Sequence, residues 1–213
     1  MLEILAQRKQ GKDPPEFAAQ GLRPIYSPFW ADLPHTDIFA CISPDILHQL
    51  HKGVFKDHLL TWCSELLGEE EMDRRFKVMS PYPNLRHFKR GISLVSQWTG
   101  KEQKEMEKIF LGIVAGAIHP RAVKAVRALL DFIYYSQYQT HTDQTIQCMK
   151  STWERLHEHK NIFIELGVRT HFNIPKFHSL LHYVDAIPLL GCLDGFNTET
   201  SERLHIDYAK SAY

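Results

Sequence analysis

Near the end of the chain, Glu199 and Glu202 stand three residues apart, followed closely by Arg203, His205 and Asp207 in the run from Phe196 to Lys210. At that spacing two carboxylates share one face of a helix. They could then share a divalent cation, because hard cations such as Mg²⁺ take carboxylate oxygens. Acids in the first turn of a helix also favour its dipole without any ligand, so a helix-start reading stands beside the metal one. Far upstream, Ser43-Pro44-Asp45-Ile46-Leu47-His48 supplies a second acid–histidine group at another helix start. Asp45, His48 and Lys52 fall at steps of three and four and share a face. That face suits a metal or a phosphate, or else an aspartate cap with a hydrogen-bonded histidine. Two-metal phosphoryl-transfer sites gather their acids from distant segments in this way.

Other groups carry less. His178 and His182 have the four-residue spacing of metal ligands on a helix, but the glutamate of an HExxH protease is missing. Two hydrogen-bonded histidines on a packed helix are the plainer reading. Arg86, Lys89 and Arg90, beside His87 and Phe88, form the best local basic patch for a phosphate backbone, or a basic surface loop. Lysines and arginines number 25, as do aspartates and glutamates, so the formal charge is zero. That argues against nucleic-acid binding through bulk positive charge and leaves local patches. Cys41, Cys63, Cys148 and Cys192 have no CxxC spacing and read as reduced, mostly buried thiols. No apolar run reaches the roughly 20 residues of a membrane span, and the first residues lack signal-peptide character. An intracellular protein with no membrane partner is expected.

The elements that must position these groups are mostly helical. Residues 1–12 read as a short helix, followed by a turn-rich stretch with prolines at 14, 15, 24, 28 and 34. Within it Ile25-Tyr26 and the run 37–42 read as short strands. Ser43 as cap, Pro44 at the first position and Asp45 in the first turn predict a helix to Leu67, stopped by Gly68. A short helix follows from Glu69 to Met79. From Lys101 onward, Met106, Ile109, Phe110, Ile113, Val114 and Ala117 define an apolar face. Pro120 opens the next helix, with Val123, Val126, Leu130, Ile133 and Tyr134 inward. A third spans about 142–166, with Ile146, Met149, Trp153, Leu156 and Phe163 inward, and a fourth starts at Pro175 and ends before Pro188. Short connections between these helices imply a bundle.

Four segments together resemble the Plavaka-type transposases of the Kyakuja–Dileera–Zisupton group, found mainly in fungal genomes. These are Phe29-Trp30-Ala31-Asp32-Leu33-Pro34-His35-Thr36-Asp37-Ile38-Phe39-Ala40, Asp45-x-x-His48 with Gln49-Leu50-His51-Lys52-Gly53, Pro175-Lys176-x-His178-x-x-x-His182-Tyr183, and Phe196-Asn197-Thr198-Glu199 through Lys210. The resemblance runs from about Gly21 onward. It implies a ribonuclease-H-like core of the DDE/D kind, in which three carboxylates hold two Mg²⁺ or Mn²⁺ ions that act in DNA cleavage and strand transfer. By that pattern Asp45 and His48 are the x-x motif pair, supported by Arg203, His178 and His182. Glu202, followed by Arg203, is the third metal-binding acid, with Glu199 as fallback. The resemblance also implies a nuclear location and DNA as partner.

The family's first catalytic aspartate has no counterpart here, and only Asp32 and Asp37 stand close before Asp45; Asp37 is taken as the metal-binding candidate. The expected architecture is mainly α: a helical bundle of the insertion kind, flanked by remnants of the ribonuclease-H-like core with one or two short strands. Its parts are an irregular segment 1–42, a DxxH helix with connecting helices over 43–100, an insertion bundle over 101–190, and a C-terminal helix over 191–213. With a core so partial and a final helix cut after Ala212-Tyr213, the chain reads as a C-terminal fragment inactive by itself. Two other readings remain: a non-catalytic module that binds protein, DNA or a second copy of itself, and a metal-dependent hydrolase using His178, His182 and Glu202.

Overall fold

The computed structural model describes residues 1–35, 37–95 and 98–211. Thr36 of the first motif, and the Ala212-Tyr213 end, lie outside the described residues. The chain divides into two compact units, Met1–Ile42 and Ser43–Tyr213.

In the first unit, α1 (Leu2–Lys9) is followed by α2 (Pro15–Ala19). The sequence predicts only turns around Pro15, yet proline at the first helical position has the right φ and loses no needed donor, so it opens α2. Arg8 joins the two helices, pairing with Asp13 at 2.5 Å and lying over the buried Phe17 ring. The two expected strands are corrected: among the described residues no strand forms. Ile25 N donates to Arg23 O in a tight turn between prolines. Asp37 Oδ1 accepts from Phe39 N (2.9 Å) and Ala40 N (3.4 Å), and this aspartate turn folds the run 37–42 back on itself.

Among the described residues of the second unit the regular elements are all helices, joined by turns and loops, with an isolated bridge between Lys89 and Gly91 in the longest loop. It opens with a π-helix, Ile46–Leu60, which runs directly into α3 (Thr61–Leu67). The cap is Asp45, not Ser43, so Pro44 stands outside the helix. The other helices are α4 (Glu69–Val78), α5 (Gly100–Val114), α6 (Pro120–Ser136), α7 (Asp143–His159), α8 (Ile162–Glu165), α9 (Pro175–Ser179), α10 (Leu181–Leu190) and α11 (Thr198–His205). A 3₁₀ turn, Leu193–Phe196, precedes α11, and a π segment, Ile206–Lys210, follows it. Thr99 and Glu102 start α5 as a reciprocal capping box. Two expected boundaries move. The predicted helix 142–166 breaks at residues 160–161, where Phe163 N donates to Lys160 O. The helix from Pro175 is two pieces, and the second continues past Pro188, which near a C-terminus costs one hydrogen bond at most. Of the four cysteines, Cys63 alone is buried and Cys41 is exposed, a correction to the expectation of mostly buried thiols.

The apolar faces read from the sequence make most of the core, but Tyr134, expected inward, is 39% exposed with its hydroxyl donating to Glu107 O. Met106, Phe110, Ile113 and Val114 of α5 meet Val126, Leu130 and Ile133 of α6 and Met149 and Leu156 of α7 in one buried cluster. Phe55 of the π-helix stacks edge-on against Phe110, with ring centroids 5.2 Å apart, and Trp62 of α3 packs on Phe163, Phe172 and Phe177. The π-helix is thus gripped along its length, which fixes the direction in which His48 and the lysines after it project.

Asp73 of α4 pins the loop that leads into α5. Its carboxylate accepts from Ile92 N (2.6 Å), Ser93 N (3.0 Å) and Ser93 Oγ (2.5 Å). Gly91, at φ +78°, lets the backbone pass: a Cβ there would sit 2.2 Å from Asp73 Cγ. Burial pushes the Asp73 carboxyl up, but the bonds from Ser93 and Ile92, with the charge of Lys77, outweigh it and hold it below the ordinary range. A carboxyl lowered on folding contributes stability that is full above its unfolded value of about 3.9 and is lost as pH falls through its folded value. Chemical denaturation of Asp73→Asn against the parent between about pH 6 and pH 2 should show a gap that closes on the acid side; a constant gap would refute this.

Candidate functional site

The two acid groups singled out in the sequence meet in the second unit. Asp45 occupies the N-cap of the π-helix. Its Oδ1 accepts from Leu47 N (3.1 Å) and its Oδ2 from His48 N (3.0 Å), the free amides that every helix start exposes. The same carboxylate reaches α11, where Thr198 Oγ1 donates to Asp45 Oδ1 at 2.9 Å. Asp45 Oδ2 lies 2.6 Å from His48 Nδ1, and the far side of that ring, Nε2, lies 2.7 Å from Glu202 Oε1. One imidazole therefore stands between two carboxylates, each ring nitrogen facing an oxygen. With both nitrogens protonated it donates to both.

The surroundings differ from one end of this chain of groups to the other. The Asp45 side chain is 18% exposed, whereas His48 and Glu202 are 48% and 52% exposed. Burial pushes the Asp45 carboxyl up, but hydrogen bonds from His48 and Thr198 outweigh it and hold it below the ordinary carboxylate range. Behind it, the buried Tyr183 hydroxyl donates to Asp45 O at 3.0 Å, and burial, with the Asp45 charge, pushes that hydroxyl up. Asp45 is thus the anchored end and Glu202 the solvent-facing end. A groove of about 860 Å³ opens over Glu202, lined among others by Leu47, His48, Lys52, Trp98 and Gln103.

Asn197 caps α11 by accepting from Glu199 N (3.1 Å), and Glu199 itself pairs with Lys104 of α5. Arg203 is 84% exposed and lies 3.8 Å from Asp207. His178 and His182 are exposed, their rings edge to face with centroids 5.3 Å apart. Asp37 is exposed in the first unit and spends Oδ1 on its own turn. Arg86 pairs with Glu102 and lies over the Phe88 ring, so one of the three predicted basic-patch charges is neutralised; Lys89 and Arg90 are exposed. Thr198 and Lys104, which tie the two acids into the fold, escaped sequence reading. Both are ordinary polar residues whose partners lie 153 and 95 residues away.

Two-cation chemistry needs several carboxylate oxygens turned toward one point. Here Asp45 is committed to amides, a hydroxyl and an imidazole, Glu199 to a lysine, and Glu202 to His48. Among the described residues no three His, Cys, Asp or Glu side chains are grouped to hold a metal ion, His178, His182 and Glu202 included. As arranged, the residues present do not fit the pair of cations that the resemblance implies.

Among the described residues no helix is long and apolar enough to cross a membrane. No curated protein and no solved structure matches the chain. The first two resembling motifs, Phe29–Ala40 and Asp45–Gly53, lie inside the stretch matched by a family model, and the two later ones lie outside it: residues 1–63 match the family described as Plavaka transposase.

Proposed function

We propose that the chain is a C-terminal portion of a DDE/D-type DNA transposase of the Plavaka kind, within the Kyakuja–Dileera–Zisupton group. Glu202 is its third catalytic acid, and Asp45 and His48 are the positioning pair that holds it. The observation that carries this reading is the His48 ring set between Asp45 and Glu202. It joins the segment that matches the family model to an acid far outside that match, as a catalytic constellation assembled from distant segments requires. The helices from α5 to α10 stand in the place of the family's helical insertion, and Asp45, His48 and Glu202 are what remains of its ribonuclease-H-like core. The partner is DNA and the compartment the nucleus.

With its carboxylates committed as described, the chain by itself leaves DNA uncut. Supercoiled plasmid incubated with the purified chain and Mg²⁺ or Mn²⁺ should stay intact. Cation-dependent nicking that disappears in Glu202→Ala would overturn the proposed inactivity. A longer version that supplies an aspartate-bearing strand upstream should nick DNA and fall to background in Glu202→Ala; full nicking by that variant would remove Glu202 from its role.

A further inference from the structure

The π-helix carries a second set of groups beyond the site at its start. Lys52 and Lys56 follow His48 at four-residue steps, and Lys176 reaches the same place from α9. Their three ammonium groups converge on one carboxylate. Asp57 Oδ2 lies 3.0 Å from Lys52 Nζ and 3.6 Å from Lys176 Nζ, and Oδ1 lies 3.3 Å from Lys56 Nζ. Burial pushes the Asp57 carboxyl up, but its bonds to Lys52 and Lys56 outweigh that and hold it below the ordinary range. One negative charge thus faces three positive ones, on a chain whose formal charge is zero.

Two details show that this crowding is built in. Lys176 crosses the π-helix at Gly53, where a Cβ would lie 2.3 Å from Lys176 Cδ, so any larger residue would push the lysine off. Further along, the surface stays cationic. Burial, then the charges of Arg169 and Lys176, hold His58 below its ordinary range against the opposing pull of Asp57. The Arg169 guanidinium lies over the Trp62 ring, 5.6 Å from its centroid, with its Nε buried and without a partner among the described residues. The three lysine side chains nevertheless remain 50%, 30% and 40% exposed in chain order. Lys52 also lines the groove over Glu202.

Three ammonium groups gathered on one carboxylate leave excess positive charge; a row of phosphates neutralises it, and the binding releases the polyanion's condensed counterions. We propose that Lys52, Lys56 and Lys176 form a phosphate-binding track for the backbone of a DNA strand, leading to the groove at His48 and Glu202. The choice of DNA as the polyanion rests on the transposase reading above. Lysines act here as point charges on phosphates and carry no base preference. The track differs from the patch read in the sequence at Arg86, Lys89 and Arg90, where Glu102 already answers Arg86.

The test is fluorescence anisotropy of labelled duplex DNA with the full chain, in EDTA, over a salt series. Lys52→Gln/Lys56→Gln/Lys176→Gln should bind roughly tenfold or more weakly at low salt, and its slope of log affinity against log salt should be shallower by about 2–3, near 0.9 per phosphate contact. Lys52→Arg/Lys56→Arg/Lys176→Arg should keep most of the affinity, which separates charge from folding. Lys12→Gln/Lys124→Gln/Lys150→Gln, removing equal charge elsewhere, should change the slope by less than about 1. The track is overturned if the first variant binds like the parent, if the last loses as much, or if the lysines bind acidic phospholipid vesicles and not DNA. In each of those cases the transposase reading survives on Glu202. Absence of any DNA binding by the parent would overturn the track and count against that reading as well.

Discussion

Glu107→Ala is expected to destabilise the chain by about 3–5 kcal/mol, the usual cost of removing one partner from a buried ionisable pair. Glu107 of α5 and His51 of the π-helix are 1% and 0% exposed, and Glu107 Oε1 lies 2.8 Å from His51 Nδ1. Among the described residues neither His51 Nε2 nor Glu107 Oε2 has a hydrogen-bond partner, so each side chain depends on the His51 Nδ1–Glu107 Oε1 contact. Truncating Glu107 leaves an imidazole in the core with no acceptor. At about 2–4 °C per kcal/mol for a chain of this size, the melting temperature should fall by roughly 6–20 °C. The double change His51→Leu/Glu107→Met should recover most of the loss, since apolar replacement of a buried pair is often neutral or better. Urea denaturation of the three proteins decides the matter: a Glu107→Ala loss under about 1 kcal/mol would show that the pair is not the clamp between these helices.

The second large effect is expected at Asp45. Asp45→Ala removes a helix cap, worth about 0.5–2 kcal/mol, together with charge-assisted bonds to Thr198 and His48, so a total near 2–3 kcal/mol is expected. The signature is local as well as global. Amides from Thr198 to His205 should exchange faster with solvent, because α11 loses its tie to the start of the π-helix and keeps only the His48–Glu202 contact, itself no longer oriented by Asp45, while Asn197 still caps it. Asp45→Asn keeps an acceptor oxygen and should lose less. Unchanged exchange in α11 after Asp45→Ala would mean that Glu202 is held by something other than this chain of hydrogen bonds.

Much of this was legible in the residues. Periodicity placed the apolar faces of α5, α6 and α7, and glycines and prolines marked most boundaries, because local chemistry decides both. The Asp45–His48 contact was legible for the same reason, being one turn long. What stayed hidden depends on distant partners. Lys104 reads as one charge in a mixed run until α11 brings Glu199 to it. Nothing in the sequence marks His51 and Glu107 as partners, and only the packing of the π-helix on α5 buries them together. The strand reading at 37–42 failed because Asp37 satisfies neighbouring amides itself, and that at Ile25-Tyr26 because Ile25 N turns back to Arg23 O, choices that an apolar run does not reveal. The fifteen residues of π register have no sequence signature at all.

That register behaves like a screw cut with its own thread. A π-helix bonds each amide to the carbonyl five residues back, so residues five apart are neighbours, as Lys52 and Asp57 are. Rewinding the same stretch to α would turn each residue a little further than the one before it. His48 could then keep its place between Asp45 and Glu202 only if Lys56 and Asp57 swung away from Lys176. The pitch of one helix thus ties the acid site at its start to the cations along its length, and a single-residue deletion between them would throw the two out of phase.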